Sequence, residues 1–154
     1  MPHVIRATGH LVNTEKIETL GLFGPKVQIL TPIAPQNTWS CFMRGAPPPG
    51  VTLPMHAHPD PETFYVISGE AEGMAYPCDS PTWGGLTPGE FFHVPGGARH
   101  AWRNMGQEPV EMLIVRTAKM ARFFQEEGAP VQPATAPEPP SPEALQRLQA
   151  VSAL

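Results

Sequence analysis

The chain is short of charge, of cysteine and of long apolar runs, and each shortage excludes something. Only 16% of its 154 residues are charged, and ten Lys plus Arg against fourteen Asp plus Glu give a formal charge of -4. With no basic cluster, it carries no electrostatic footprint for nucleic acid or an anionic membrane surface. Two cysteines, Cys41 and Cys78, are too few for a disulfide framework and are expected to be reduced. The longest apolar run falls well below a membrane span, and the start Met1-Pro2-His3-Val4-Ile5-Arg6 lacks the charged region and apolar core of a signal peptide. The expected compartment is the cytoplasm. No internal repeat is visible.

Proline and glycine are abundant instead. Twenty-one prolines and fourteen glycines imply many turns and little long helix, while 41% hydrophobic residues are enough for one globular core. The length suits a single domain. Strands are predicted over residues 3–12, 26–31, 38–44, 51–56, 62–68, 71–76, 90–94, 100–104 and 110–116, separated by turn signals. Residues 77–89, with Pro77, Pro81, Gly84, Gly85, Pro88 and Gly89, read as a loop. Short strands joined this way indicate an all-β antiparallel sandwich or barrel. Thr117 is placed to cap a helix over 118–127, with Met120, Phe123 and Phe124 on one stripe and Gly128 as the stop. Residues 1–128 then form one barrel domain with its helix packed outside. Residues 129–154 form a Pro-rich arm with a short terminal helix opened by Ser141-Pro142.

The stretch His56-Ala57-His58-Pro59-Asp60-Pro61-Glu62 concentrates metal-ligating chemistry. Two histidines one residue apart share a face of extended backbone, and Glu62 brings a carboxylate from the head of the next strand. His-x-His alone is common on surfaces, so a second segment matters more. Pro95-Gly96-Gly97 reverses the chain and delivers His100 near the start of the following strand, as a third imidazole. Two imidazoles and a carboxylate already make a shell for a divalent transition metal.

At these residues the chain closely resembles the cupin family. Gly50-x5-His56-x-His58-x3-Glu62-x6-Gly69 fills one cupin motif, and Gly89-x5-Pro95-x-Gly97-x2-His100-x3-Asn104 fills the second, after a gap of 19 residues. The motifs span about a third of the chain. The resemblance implies a double-stranded β-helix, a jelly-roll-like barrel, holding one divalent ion (Fe, Mn, Ni, Co, Cu or Zn) through His56, His58, Glu62 and His100. The tail from Val115 to Gly128 and the Pro-rich stretch after it look like those of bacterial single-domain cupins related to quercetin 2,3-dioxygenase, although Thr117-Ala118-Lys119 departs from their usual Pro-Ala-Gly. That likeness implies a dioxygenase using dioxygen on a small enolic or aromatic, flavonol-like substrate, with Glu62 as a catalytic base as well as a ligand. The alternatives are a metal-dependent isomerase or other non-redox enzyme, and a non-catalytic cupin that binds a metal or small ligand. Single-domain relatives commonly pair, so a homodimer is expected, with the N-terminal 30 residues contributing.

Strand parity places Phe64 with Glu62 and Trp102 with His100, making them candidate substrate-binding residues in an aromatic pocket; Phe42, Phe92 and Met112, with Ile114, are further candidates. Arg99 and Arg103 fall on the opposite parity from His100 and are expected to face outward, which disfavours a phosphosugar pocket. His93 is expected to be exposed or locally satisfied. No role attaches to His3 or His10, and Tyr76 and Trp83 are expected to pin the loop that contains them.

Overall fold

Turns that cut the chain into short extended pieces leave each piece to satisfy its backbone by pairing with others. The computed structural model describes residues 9, 11–22, 24–31, 33, 40–75, 80–131, 141–143 and 146–147. After a 3-10 turn at Thr14–Lys16 come β1 (Leu20–Gly21), β2 (Lys26–Ile29), β3 (Cys41–Ala46), β4 (Thr52–His56), β5 (Glu62–Ser68) and β6 (Ala71–Ala75). Then follow β7 (Thr82–Leu86), β8 (Phe91–Val94), β9 (His100–Arg103), β10 (Glu111–Arg116), α1 (Ala118–Glu127) and β11 (Ala129–Pro130). A seven-stranded sheet has the order β11-β1-β2-β3-β10-β5-β8 and a four-stranded sheet the order β4-β9-β6-β7. Every pairing is antiparallel. This is the double-sheet barrel that the turn spacing predicts.

Alternation decides which side chains fill it. Phe64 and Val66 on β5, Met112 and Ile114 on β10, and Cys41 and Met43 on β3 all point inward and are buried. The register sets Ile114 beside both Phe64 and Met43, and Met112 beside Val66 and Gly45, so the middle of the barrel is packed solid. Each such side chain contributes about 1.5–3 kcal/mol of burial free energy. At one end the inward positions are charged, where Glu62 opens β5 and Arg116 closes β10.

Local signals placed several elements to the residue. β5 coincides with the predicted 62–68, and α1 begins behind the Thr117 cap, whose Oγ1 accepts from Met120 N–H. Met120, Phe123 and Phe124 are buried on one face, and Thr117 Oγ1 also donates to Asp60 Oδ1 at 2.7 Å, tying the helix start to the loop between the first three ligands. Gly128 ends the helix in extended conformation (φ -74°). A Cβ there would meet Phe124 O at 2.5 Å and Leu20 Cβ at 3.1 Å, so close approach, not a left-handed turn, requires the glycine.

Three strands escaped the sequence. β7 lies within the predicted loop 77–89, because Gly84 and Gly85 read as breakers; in the fold they pair with Gly73 and Glu72 of β6. β1 and β11, two residues each, exist only through each other and β2, and β11 falls in what the composition marks as arm. Within the predicted strand 3–12, residues 11–12 have no strand pairing and most of the rest lies outside the described residues, as do His3, His10, Tyr76 and Cys78. Beyond the barrel, residues 142–143 and 146–147 are helical, and Arg147 pairs with Glu127 at 2.8 Å. Cys41 is a free, buried thiol whose pKa burial pushes up. Among the described residues no helix is long and apolar enough to cross a membrane.

Candidate metal centre

Four elements deliver four ligating side chains to the polar end of the barrel. His56 ends β4, His58 follows in the loop, Glu62 opens β5 and His100 opens β9. His56 and His100 are register partners across the β4–β9 pairing. All four are buried, at 5%, 3%, 2% and 1% exposure.

The motif residues around them serve as scaffolding. Gly97 N–H donates to His58 O at 2.7 Å, and Gly96 passes so close to the ligand loop that a Cβ would lie 2.1 Å from Pro59 O. Asn104, fully buried, donates through Nδ2 to Pro47 O (3.1 Å) and Glu108 O (2.8 Å) and accepts from Gly106 N–H (2.9 Å). It locks the loop before β4 to the turn after β9. Gly69 has φ 81°, and a Cβ there would strike Pro109 O at 2.7 Å.

The hydrogen bonds of the imidazoles define what they can hold. Each Nδ1 lies against a backbone carbonyl two residues away: His56 against Pro54 O (2.8 Å), His58 against Asp60 O (2.7 Å) and His100 against Ala98 O (2.9 Å). A carbonyl only accepts, so each Nδ1 carries the proton and each Nε2 of the neutral ring is a bare lone pair. Yet His100 Nε2 lies 2.8 Å and His58 Nε2 3.5 Å from Glu62 Oε1, and none of these three atoms has a hydrogen-bond partner. Acceptors this close without a donor call for a cation between them. The four ligating atoms lie within 4.8 Å of one another, near the roughly 4.2 Å that separates opposite ligands about 2.1 Å from an ion. Carbonyl-anchored imidazoles are the usual second layer of such centres, so these residues fit a divalent transition metal.

A fifth residue completes the site, and the sequence reading passed over it. Arg116, 6% exposed, sets Nη2 2.5 Å from Glu62 Oε2, with its guanidinium over the rings of Phe64 (5.7 Å) and Phe124 (5.0 Å). One carboxylate oxygen thus faces the imidazoles and the other the arginine. Its parity with Met112 and Ile114 was a signal for facing inward; an arginine at a strand end ordinarily reads as solvated. Arg99 is exposed, and Arg103 pairs with Glu72 while its guanidinium lies 4.0 Å from the Trp83 ring. The inward cation therefore comes from β10. His93 is exposed and shares a 2.8 Å hydrogen bond with Thr63 Oγ1, as expected of a locally satisfied histidine.

Burial shapes the protonation of the site. Burial first, then the neighbouring His100, pushes the His56 pKa down to about 4. Burial would raise the Glu62 carboxyl, but the Arg116 guanidinium, with the adjacent imidazoles of His100 and His58, holds it well below the usual carboxylate range. Between pH 6.5 and 4 the unfolded chain protonates His56 and the folded one does not, so stability falls as pH falls. Metal-free protein is expected to lose roughly 2 kcal/mol from His56 between pH 7 and 5, with Glu62 adding a loss in the same direction below about pH 4.5. Urea titrations at the two pH values check this; equal midpoints would mean that the imidazole is not held neutral.

Beside the four residues is a cavity of about 30 Å³, lined by Leu53, His56, Phe64, Trp102, Ile114 and Arg116 and also by Leu22, Pro25 and Phe124. It has room for one or two water molecules. Of the predicted substrate-binding residues, Phe64 and Trp102 line it. Phe92 stands behind Phe64, ring centroids 6.3 Å apart, and fills the space over Gly73 in the opposite sheet. Met112 is core, beside Val66 and on the far side of Ile114 from Arg116. Phe42 corrects the expectation outright: it is 39% exposed, because inward Cys41 and Met43 force it to the outer face.

Comparison with known proteins agrees with this architecture. Residues 45–116 match the sequence profile of the cupin domain family. No curated protein matches the sequence. Among solved structures, an RmlC-like cupin from Shewanella frigidimarina superposes with TM-score 0.61 at 20% identity, over 75% of this chain and 96% of that one. KdgF from Halomonas sp. gives 0.59 at 15%, over 71% and 94%. A predicted oxalate decarboxylase from Thermotoga maritima gives 0.54 at 23%, over 70% and 98%. At such identities the likeness speaks for the fold alone, and no quercetinase is among these neighbours. The protein has the cupin fold, and the residues that match the cupin domain profile, 45–116, contain all four buried candidate ligands.

Proposed function

We propose that the protein is a metal-dependent cupin enzyme, an oxidoreductase of dioxygenase type acting on a small enolic substrate. One observation supports this above the rest: three imidazoles and a carboxylate converge, buried, beside a mainly apolar cavity, and the Nε2 atoms of His58 and His100 have no hydrogen-bond partner. When bound, a divalent transition ion would supply Lewis acidity and, if redox-active, electron exchange between an enolate and dioxygen. The chain's own residues keep bulk water out, fix the imidazole tautomers and hold Glu62 ionised. The small volume of the cavity, about 30 Å³, favours the short-chain end of the enolic class over a three-ring flavonol. For Glu62 the geometry favours the ligand role over that of base, because Arg116 opposes proton uptake on Oε2.

The test is oxygen consumption by protein loaded separately with Fe, Mn, Co, Ni, Cu or Zn, offered flavonols, catechols and short β-diketones. Uptake is expected with a short enolisable substrate and a redox-active ion, and none with zinc. One observation favours the non-redox alternative, namely that Arg116 places a cation in the barrel where a substrate anion could be polarised. Product formed under strict anaerobiosis would establish that alternative. Binding without turnover by any metal form would establish a binding protein.

We also propose a homodimer in which a second copy covers the N-terminal segment. Leu11 is fully exposed and Val12 nearly half so, beside an apolar groove lined by Ile17, Leu20, Ile29 and Ile33. Exposed apolar surface of this kind marks association sites. Solution scattering is expected to give twice the chain mass; a monomer mass would refute the pairing.

A further inference from the structure

Two residues of the cavity wall carry a buried N–H donor that has no acceptor. Trp102 and Arg116 are 5% and 6% exposed, both line the space beside His56, and neither indole Nε1 nor guanidinium Nε has a hydrogen-bond partner. Both residues sit against the same ring: Trp102 is 6.4 Å from the Phe64 centroid and Arg116 Cζ 5.7 Å from it. A buried donor left unsatisfied is costly, and two residues lining one small space each carry such a donor.

The chemistry of the missing partner follows from the donors. Indole and guanidinium donate and cannot accept, so the complement is a group made of acceptors, and a negative charge suits the cation. Leu53, Phe64 and Ile114 supply the rest of the wall and offer nothing to a hydroxyl donor. The cavity takes one or two oxygen-sized groups, which matches a flat carboxylate better than a four-oxygen phosphate. Glu62 does not repel such an anion strongly, since Arg116 Nη2 already neutralises its Oε2.

We propose that Trp102 Nε1–H and Arg116 Nε–H receive the carboxylate of a short-chain acid and so set its next carbon beside His56. The substrate class is then a small 2-oxo acid or its enol, not a neutral ring compound. This deepens the proposed function and rests on it for the placement of a substrate beside the metal centre.

The experiment is calorimetric titration of zinc-loaded protein, under nitrogen, with pyruvate and with methyl pyruvate, metal content being measured in every sample. Zinc is redox-inert, so no turnover is involved, and a failure of oxygen uptake would leave this result standing. Pyruvate is expected to bind at least about tenfold more tightly than its ester, from two charge-assisted or buried hydrogen bonds. Trp102→Phe and Arg116→Lys should each weaken pyruvate about tenfold at unchanged metal content and leave the ester unaffected. The preference should persist, at lower affinity, in metal-free protein. Equal binding of acid and ester by the wild type overturns the proposal without recourse to any variant. A preference for the acid that Trp102→Phe leaves undiminished overturns it as well, since the indole would then take no part in it.

Discussion

Arg116→Ala should destabilise the metal-free protein by about 3–5 kcal/mol, the usual loss when one partner of a buried ion pair is removed. The side chains of Arg116 and Glu62 are 5% and 0% exposed, so the carboxylate left behind would have no water to take the place of the guanidinium. For a chain of this length that corresponds to a fall in Tm of roughly 10 °C. Two comparisons make the cause visible. Saturating zinc should restore much of the loss, because the ion brings positive charge to the other side of the same carboxylate. Combining Glu62→Gln with Arg116→Met should also recover most of it, since two neutral groups of similar volume leave no buried charge. A loss below about 1 kcal/mol in metal-free Arg116→Ala would show the pair to be open to solvent.

His100→Ala should reduce affinity for a divalent ion by more than about a hundredfold, because losing even an outer partner of a metal ligand costs 10- to 100-fold. Its Nε2 is 2.8 Å from Glu62 Oε1 and its ring centroid 4.1 Å from that of His56, so it closes one side of the cluster. His93→Ala, seven residues earlier and exposed on β8, should leave metal content unchanged. Emission spectrometry after dialysis separates the two variants. One full equivalent of metal retained by His100→Ala would remove His100 from the ligand set.

Much of this molecule was legible in its sequence for local reasons. The Thr117 cap, the apolar stripe at Met120, Phe123 and Phe124, and the stop at Gly128 all act within one or two turns of helix, so α1 appears where they place it. β5 likewise carries its own alternation and is closed by Gly69. β7 was hidden because Gly84 and Gly85 have no strand preference of their own; hydrogen bonds from β6 hold them extended. Phe42 was misplaced for a related reason. Its face is set by pairing with Val115, far along the chain, and nothing near it in sequence reveals that register.

The sequence by itself determined the four candidate ligands, because a barrel strand and a tight turn present His56, His58, Glu62 and His100 through spacings of a few residues, and spacing is a local property. It determined the turn-rich all-β architecture on the same footing. Only the tertiary structure decided what surrounds the four residues: the inward Arg116 that holds Glu62 ionised, the buried N–H donors of Trp102 and Arg116 that lack an acceptor, and the small cavity of about 30 Å³ that both residues line. Those features arise where distant segments meet. A buried arginine is tolerable only when a carboxylate from another strand lies against it, and that meeting is a consequence of register between strands that no stretch of chain contains alone.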